Sequence, residues 1–200
     1  MRITKISFRL SILTLIMTLL FCYQANAQKV LVAYYTQSGN TKLMAEAVAK
    51  GVGQVSDVEY KLKSIEEISE KEVLEADAII LGSPVYNANV VPAVQEFINS
   101  WPFEGRPMKD KIGAAFTSAG AFSIGEELVM LSILRSMLIH GMIVVGGETV
   151  EAAFGASAIT AEGTFADKPV DEIFLIKAEG LGRRVGELVR NKNIAILSPL

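Results

Sequence analysis

The sequence predicts an α/β fold in which a five-stranded parallel sheet has helices on both faces. Apolar runs of strand length alternate with segments whose apolar residues recur at helical spacing. Because parallel strands need crossover connections, this alternation favours a parallel sheet that is covered on both sides. Half of the 200 residues are apolar, which is enough to build the core that such a sheet requires.

Five segments are predicted to form the strands. The first, "KVLVAYY", is apolar throughout, as expected of a strand buried on both faces. The second, "VEYKLKSI", alternates between apolar and polar residues and predicts a more exposed strand. The five predicted strands span residues 29–35, 58–65, 76–84, 111–120 and 141–147.

Helices are predicted after most of these strands. One follows the polar loop "TQSGN", and another begins at Pro92, a residue that is common in the first turn of a helix. A loop-rich stretch, 148–169, precedes the last helix. The apolar faces of the first, third and last helices are formed by Met44, Ala47, Val48 and Gly51; by Ile124, Leu128, Leu131, Leu134 and Leu138; and by Ala178, Leu181, Val185 and Leu188.

The first 27 residues have the pattern of a secretory signal peptide. Basic residues precede the apolar stretch 10–23, and Ala25 and Ala27 are the small residues that a signal peptidase reads. We expect cleavage before Gln28, a single domain over residues 28–200, and Sec-type export to the periplasm or the medium. The stretch is short for a membrane span, so we expect no stable membrane insertion, with an uncleaved anchored form as the alternative.

Charge and cysteine content exclude several classes of function. The only cysteine, Cys22, lies in the predicted leader, so the mature domain has no disulfide, thiol nucleophile or cysteine metal site. Cleavage would also remove three basic residues and change the formal net charge from −3 to −6. An acidic domain without a basic run argues against a nucleic-acid partner. No metal site is predicted.

The loop after the first strand predicts an anion site. In "TQSGNT", Thr36, Ser38 and Thr41 carry hydroxyl groups, and Gly39 allows a sharp turn. The amides that follow lie at a helix N-terminus, where unpaired donors and the helix dipole favour an anion. The loop lacks the lysine of a nucleoside-triphosphate loop, so a terminal phosphate monoester is the favoured ligand. A simple helix cap is the alternative.

Two more loops, "SPVYNANV" and "SAGAFSIGEE", follow the third and fourth predicted strands. Ligands of such sheets bind beyond the carboxyl ends of the strands, so we expect these loops to converge with the first. Tyr86 and Phe122 are candidate stacking groups, with ordinary packing as the alternative. His140, the only histidine, either belongs to the site or merely ends its helix.

Together these loops resemble those of flavodoxin-like FMN proteins. "TQSGNT" is similar to the FMN-phosphate loop of flavodoxins, whereas "GSPVYNANV", "TSAGAFSIGEE" and "IHGMIVVG" resemble NAD(P)H:quinone oxidoreductases of the tryptophan-repressor-binding-protein branch. The resemblance covers residues 29–191 and implies a flavodoxin-like fold that binds FMN. It further implies electron transfer from NAD(P)H to a quinone-like acceptor, with a non-enzymatic electron carrier between protein partners in the cell envelope as the alternative. Assembly into a homo-oligomer is also implied.

The resemblance implies a role for each loop. The first would hold the FMN phosphate, the second would line the isoalloxazine edge, and the third would pass along the ribityl chain and the ring. His140 would approach the ring and is the one candidate catalytic residue. The implied FMN-binding residues are Thr36, Ser38, Gly39, Asn40, Thr41, Pro84, Val85, Tyr86, Asn87, Ser118, Ala119, Gly120, Ala121, Phe122 and His140.

Overall fold

The computed structural model describes residues 27–197, and the side chains of the last helix as far as residue 192. The predicted leader therefore lies almost wholly outside the described residues. Strands and helices alternate along the described chain. The elements are β1 (Gln28–Tyr34), α1 (Asn40–Val52), β2 (Val58–Ser64), α2 (Glu70–Glu75), β3 (Ala78–Tyr86), β4 (Asn89–Val90), α3 (Pro92–Asn99), β5 (Ile112–Ala119), α4 (Glu126–Ile139), β6 (Ile143–Val144), β7 (Ala156–Ile159) and α5 (Glu172–Leu197).

The main sheet is parallel and has the order β2-β1-β3-β5-β6. In the centre, Val32 of β1 is aligned with Leu62 of β2 on one side and with Ile80 of β3 on the other. The chain adds β2 to one side of β1 and the later strands to the other side. The order therefore reverses at β1 and β3, and the predicted α/β fold with a parallel sheet is confirmed.

The fifth position of the sheet is built from two short strands rather than from the single strand predicted at 141–147. β6 pairs with the beginning of β5, where Ile112 is aligned with Ile143. β7 pairs with the end of β5, where Phe116 is aligned with Ala156. The chain leaves the sheet in between, and the Arg184 guanidinium donates hydrogen bonds to the carbonyl oxygens of that excursion. The predicted loop 148–169 thus contains a strand.

Helices α1 and α5 pack with their backbones almost in contact. A Cβ atom added at Gly51 would lie 1.9 Å from the carbonyl oxygen of Glu179, and one added at Gly182 would lie 1.9 Å from that of Val48. Only glycine permits this approach, because any side chain would overlap a backbone oxygen. The contact fixes the position of α1, whose N-terminus lies at the predicted anion site.

The apolar face predicted for the third helix is wrong, because the corresponding helix, α4, turns a different side towards the core. The buried side of α4 consists of Val129, Met130, Ile133, Leu134 and Met137. Two leucines of the predicted face, Leu128 and Leu138, are instead 60% and 53% exposed. Within residues 27–197, none of the helices combines the length and the apolar character that crossing a bilayer demands.

Candidate functional site

The loops after β1, β3 and β5 meet at the carboxyl edge of the sheet, as predicted. The hydroxyl groups of Thr41 and Ser118 are buried and lie 2.8 Å apart, which joins the start of α1 to the end of β5. The loops after β3 and β5 also touch, since a Cβ atom added at Gly125 would lie 2.6 Å from the Cα atom of Ala88. A hydrogen bond from the Tyr86 hydroxyl to the side chain of Gln37 connects the loops after β3 and β1.

The N-terminus of α1 has backbone donors available for an anion. Gly39 adopts a left-handed conformation with φ of 93°, and its amide donates to the Thr36 hydroxyl over 3.0 Å. The first helical hydrogen bond runs from the amide of Leu43 to the carbonyl oxygen of Gly39. The amides of residues 40–42 therefore have no acceptor within the helix. No side chain caps this end, and its first turn has no acidic residue.

The N-terminus of α4 is different because it already holds a carboxylate. Glu126 accepts hydrogen bonds of 2.9–3.1 Å from the amides of Ser123, Ile124 and Gly125. A carboxylate at this position satisfies the donors and compensates the positive end of the helix dipole. Of these two helix ends at the carboxyl edge, only that of α1 remains open to an external anion.

The hydroxyl groups of the first loop have different roles. Thr41 is 1% exposed and its side chain points inward to Ser118, so its hydroxyl stabilises the loop from the core side. The Thr36 hydroxyl closes the turn by accepting from Gly39, and Ser38 is exposed to solvent. The backbone amides are therefore the main donors that the loop offers to a ligand.

Two exposed aromatic side chains lie on the loops after β3 and β5. Asn87 and Ala88 have φ values of 51° and 57° and form the two-residue turn between β3 and β4, which leaves Tyr86 43% exposed at its edge. Phe122 is 52% exposed, and its amide donates to the Glu162 carboxylate over 2.7 Å. Flat apolar surface next to an anion site suits a planar ring that carries a phosphate.

Comparison with known proteins agrees with this geometry. The family described as NADPH-dependent FMN reductase matches residues 29–157. The chain belongs to this family. A flavodoxin of Aquifex aeolicus is 33% identical over 171 residues, which are 80% of this chain and 86% of that protein. An NAD(P)H dehydrogenase (quinone) of Geotalea uraniireducens is 32% identical over 146 residues, 59% of this chain and 71% of that protein.

A solved flavodoxin from the domain Archaea has the same fold. It superposes with a TM-score of 0.65 at 26% identity and covers 82% of this chain and 99% of its own. These findings confirm the predicted flavodoxin-like fold and the predicted cofactors, FMN and NAD(P)H. This member of the FMN reductase family is an FMN-dependent oxidoreductase.

The residues at the carboxyl edge fit FMN. The free amides of residues 40–42 would hold its phosphate, and the side chains of Tyr86 and Phe122 offer apolar surface for its ring. The loop of Ser118–Phe122 contains small residues, which allow the backbone to come close to a ligand. When bound, FMN supplies the redox chemistry, while the protein positions it and adjusts its electrostatic environment.

Within the chain, His140 lies far from this site, so the structure does not bring it to the loops where the resemblance placed it. It caps the far end of α4, whose 14 residues span about 20 Å. The next residue, Gly141, accepts a hydrogen bond from the amide of Asp110 just before β5 begins, which places His140 at the amino edge of the sheet. Its ring packs 5.6 Å from that of Trp101 and 5.2 Å from that of Phe103. Burial lowers the pKa of this imidazole.

Three residues that shape the site were not predicted from the sequence. Glu162 holds the amide of Phe122 from a position 40 residues away, and no local pattern indicates such a partner. Gln37 accepts from the Tyr86 hydroxyl, and it lies within the predicted loop. Glu126 is typical of a first helical turn, but its hydrogen bonds to three preceding amides depend on the loop conformation.

Proposed function

We propose that this chain is an exported oxidoreductase that passes electrons from NAD(P)H to a quinone-type acceptor at its bound FMN. The observation that supports a quinone is the exposed aromatic surface of Tyr86 and Phe122 at the same edge as the phosphate donors. A flat, apolar acceptor would enter at this edge, where the aromatic side chains also flank the ring of FMN. The relative from Geotalea uraniireducens, whose name is NAD(P)H dehydrogenase (quinone), supports the same choice.

The residues of the chain would act in binding and orientation. The amides at the start of α1 anchor the phosphate, and the hydrogen bond between Thr41 and Ser118 keeps that loop against β5. The hydrogen bond from the Phe122 amide to Glu162 fixes the third loop, which would lie next to the ring of bound FMN. The sequence has no separate dinucleotide fingerprint, so NAD(P)H and the quinone would use the same opening in turn.

Steady-state kinetics test the acceptor. Purified FMN-loaded protein is given NADH or NADPH, and nicotinamide oxidation is followed with benzoquinone or with cytochrome c as the acceptor. We expect saturable turnover with benzoquinone and much slower reduction of cytochrome c. Efficient reduction of a protein acceptor together with negligible quinone turnover would overturn the quinone assignment and favour an electron carrier.

Export is the second part of the proposal, and it depends on the pattern of residues 1–27. A Sec substrate crosses the membrane unfolded, so FMN would be bound after export. N-terminal sequencing of protein from fractionated cells tests this idea. A mature chain that begins at Gln28 outside the cytoplasm is expected, whereas a cytoplasmic chain that keeps its leader would contradict export.

A further inference from the structure

The turn of residues 162–165 presents a carboxylate and an aromatic ring to the loop after β5. The Glu162 carboxylate accepts a hydrogen bond of 2.7 Å from the amide of Phe122. The ring of Phe165 lies 6.0 Å from that of Phe122 in an edge-on contact. The turn itself is closed by the amide of Phe165, which donates to the carbonyl oxygen of Glu162. Phe122 is thus held at its amide and at its ring by two residues of one turn.

The same turn is attached to the sheet on one side and to the last helix on the other. Before it, the amide of Ala161 donates to the carbonyl oxygen of Gly120 over 2.9 Å, which continues the pairing of β7 with β5. After it, the ring of Phe165 packs 4.8 Å from that of Phe174 in the first turn of α5. Glu162 is exposed to solvent, yet these contacts keep its carboxylate at a defined place beside Phe122.

The negative charge of Glu162 is not compensated by a neighbouring cation. Among the side chains described as far as residue 192, no lysine or arginine forms an ion pair with it. Lys168, the next basic residue along the chain, pairs instead with Asp171 over 2.6 Å. The loops after β1 and β3 contain no charged side chain, and the loop after β5 ends at the carboxylate of Glu126. The ring side of the opening is therefore negative.

We propose that Glu162 makes this oxidoreductase selective for uncharged acceptors over anionic ones. The inference rests on the proposed function and specifies the charge of the quinone-type acceptor. An acceptor that approaches the ring of FMN would pass Phe122, whose amide binds the carboxylate, so an anionic group on the acceptor would meet a like charge. At a solvated surface, like charges several ångströms apart lower an affinity by about fivefold to tenfold. The oxygen of Glu162 holds the loop, and its charge disfavours anions.

Binding of naphthoquinone and of naphthoquinone sulfonate to the oxidised, FMN-loaded protein measures this selectivity without turnover. The dissociation constants come from the change in flavin absorbance, and the sulfonate is expected to bind more weakly. Glu162→Gln keeps an oxygen that can accept from the Phe122 amide and removes the charge. We expect this variant to lower the ratio of the sulfonate constant to the naphthoquinone constant by about fivefold to tenfold. The ratio of kcat/KM values for the two acceptors should shift in the same sense.

Asp57→Asn is the matched control, because Asp57 is an exposed carboxylate just before β2, at the opposite edge of the sheet. It changes the net charge by the same amount and should leave the ratio unchanged. The effect of Glu162→Gln should also shrink in about 1 M salt, where the screening length is about 3 Å. Equal effects of the two variants, or a ratio that Glu162→Gln does not lower, would overturn the proposal.

The binding ratio also separates this proposal from the proposed function. If the protein shows the charge selectivity but does not turn over quinone with NAD(P)H, the selectivity of the opening stands and the quinone assignment fails. If quinone is turned over and Glu162→Gln leaves the ratio unchanged, the role of Glu162 is refuted and the quinone assignment stands.

Discussion

The close contact between α1 and α5 makes a quantitative prediction for Gly182→Ala. The new methyl carbon would lie 1.9 Å from the carbonyl oxygen of Val48, and neither backbone can rotate away. Overpacking costs about 1–3 kcal/mol, and a clash with backbone belongs near the upper end. Alanine gains about 1 kcal/mol over glycine in helix propensity. The free energy of unfolding should therefore fall by about 2 kcal/mol.

Gly180→Ala is the control two residues earlier in the same helix. Its methyl carbon would lie 3.0 Å from a carboxylate oxygen of Glu148, which is the end of a flexible side chain. The gain in helix propensity should dominate there and stabilise the protein by up to about 1 kcal/mol. The two variants should thus differ by about 3 kcal/mol.

Thermal denaturation of flavin-free protein, followed by circular dichroism, measures this difference. Flavin is left out because bound ligand would add its own stabilisation. For a domain of this size each kcal/mol shifts Tm by about 2–4 °C, so the Tm of Gly182→Ala should lie about 6–12 °C below that of Gly180→Ala. Equal Tm values, or a lower value for Gly180→Ala, would refute the packing argument.

Three further predictions concern the site and the single histidine. Thr41→Val removes one partner of the buried 2.8 Å hydrogen bond to Ser118, and it should cost about 1–3 kcal/mol of stability and weaken FMN binding in a fluorescence titration. Gly39→Val forces a β-branched residue to a φ of 93°, and it should lower FMN retention, as measured by absorbance per protein, while circular dichroism stays native. His140 should titrate by NMR below its ordinary value of 6.5 because burial disfavours its charged form. Below pH 6.5 the imidazole takes up a proton more readily in the unfolded chain than in the folded protein. The free energy of unfolding is therefore highest above pH 6.5, and it falls as the pH drops towards the lower pKa of the folded protein. His140→Gln should remove this loss on the acid side and leave quinone turnover unchanged.

Local sequence was sufficient where a feature is built from neighbouring residues. The first loop could be predicted because its turn, its hydroxyl groups and the start of α1 lie within residues 36–41. The central strands could be predicted because burial on both faces demands continuous apolar runs. Convergence of the loops followed from the topology of a parallel sheet and needed no knowledge of side-chain contacts.

The features that sequence missed depend on distant parts of the chain. The fifth position of the sheet is divided between β6 and β7 because each pairs with a different part of β5. The apolar pattern of residues 141–147 does not show whether the whole segment stays in the sheet. Helix α4 is apolar on both sides, so its periodicity could not show which side faces the core. The role of His140 was implied by the family resemblance, with a helix-end role as the alternative, whereas α4 carries its last residue away from the loops of the site.

The central claim is that the open N-terminus of α1 binds the phosphate of FMN. The most direct test compares the binding of FMN and of riboflavin to flavin-free protein by quenching of flavin fluorescence. The two ligands share the ring and the ribityl chain, so their affinities differ through the phosphate. Hydrogen bonds to a charged group contribute about 1.5–3 kcal/mol each, so FMN should bind at least about a hundredfold more tightly than riboflavin. Equal affinities would contradict the claim.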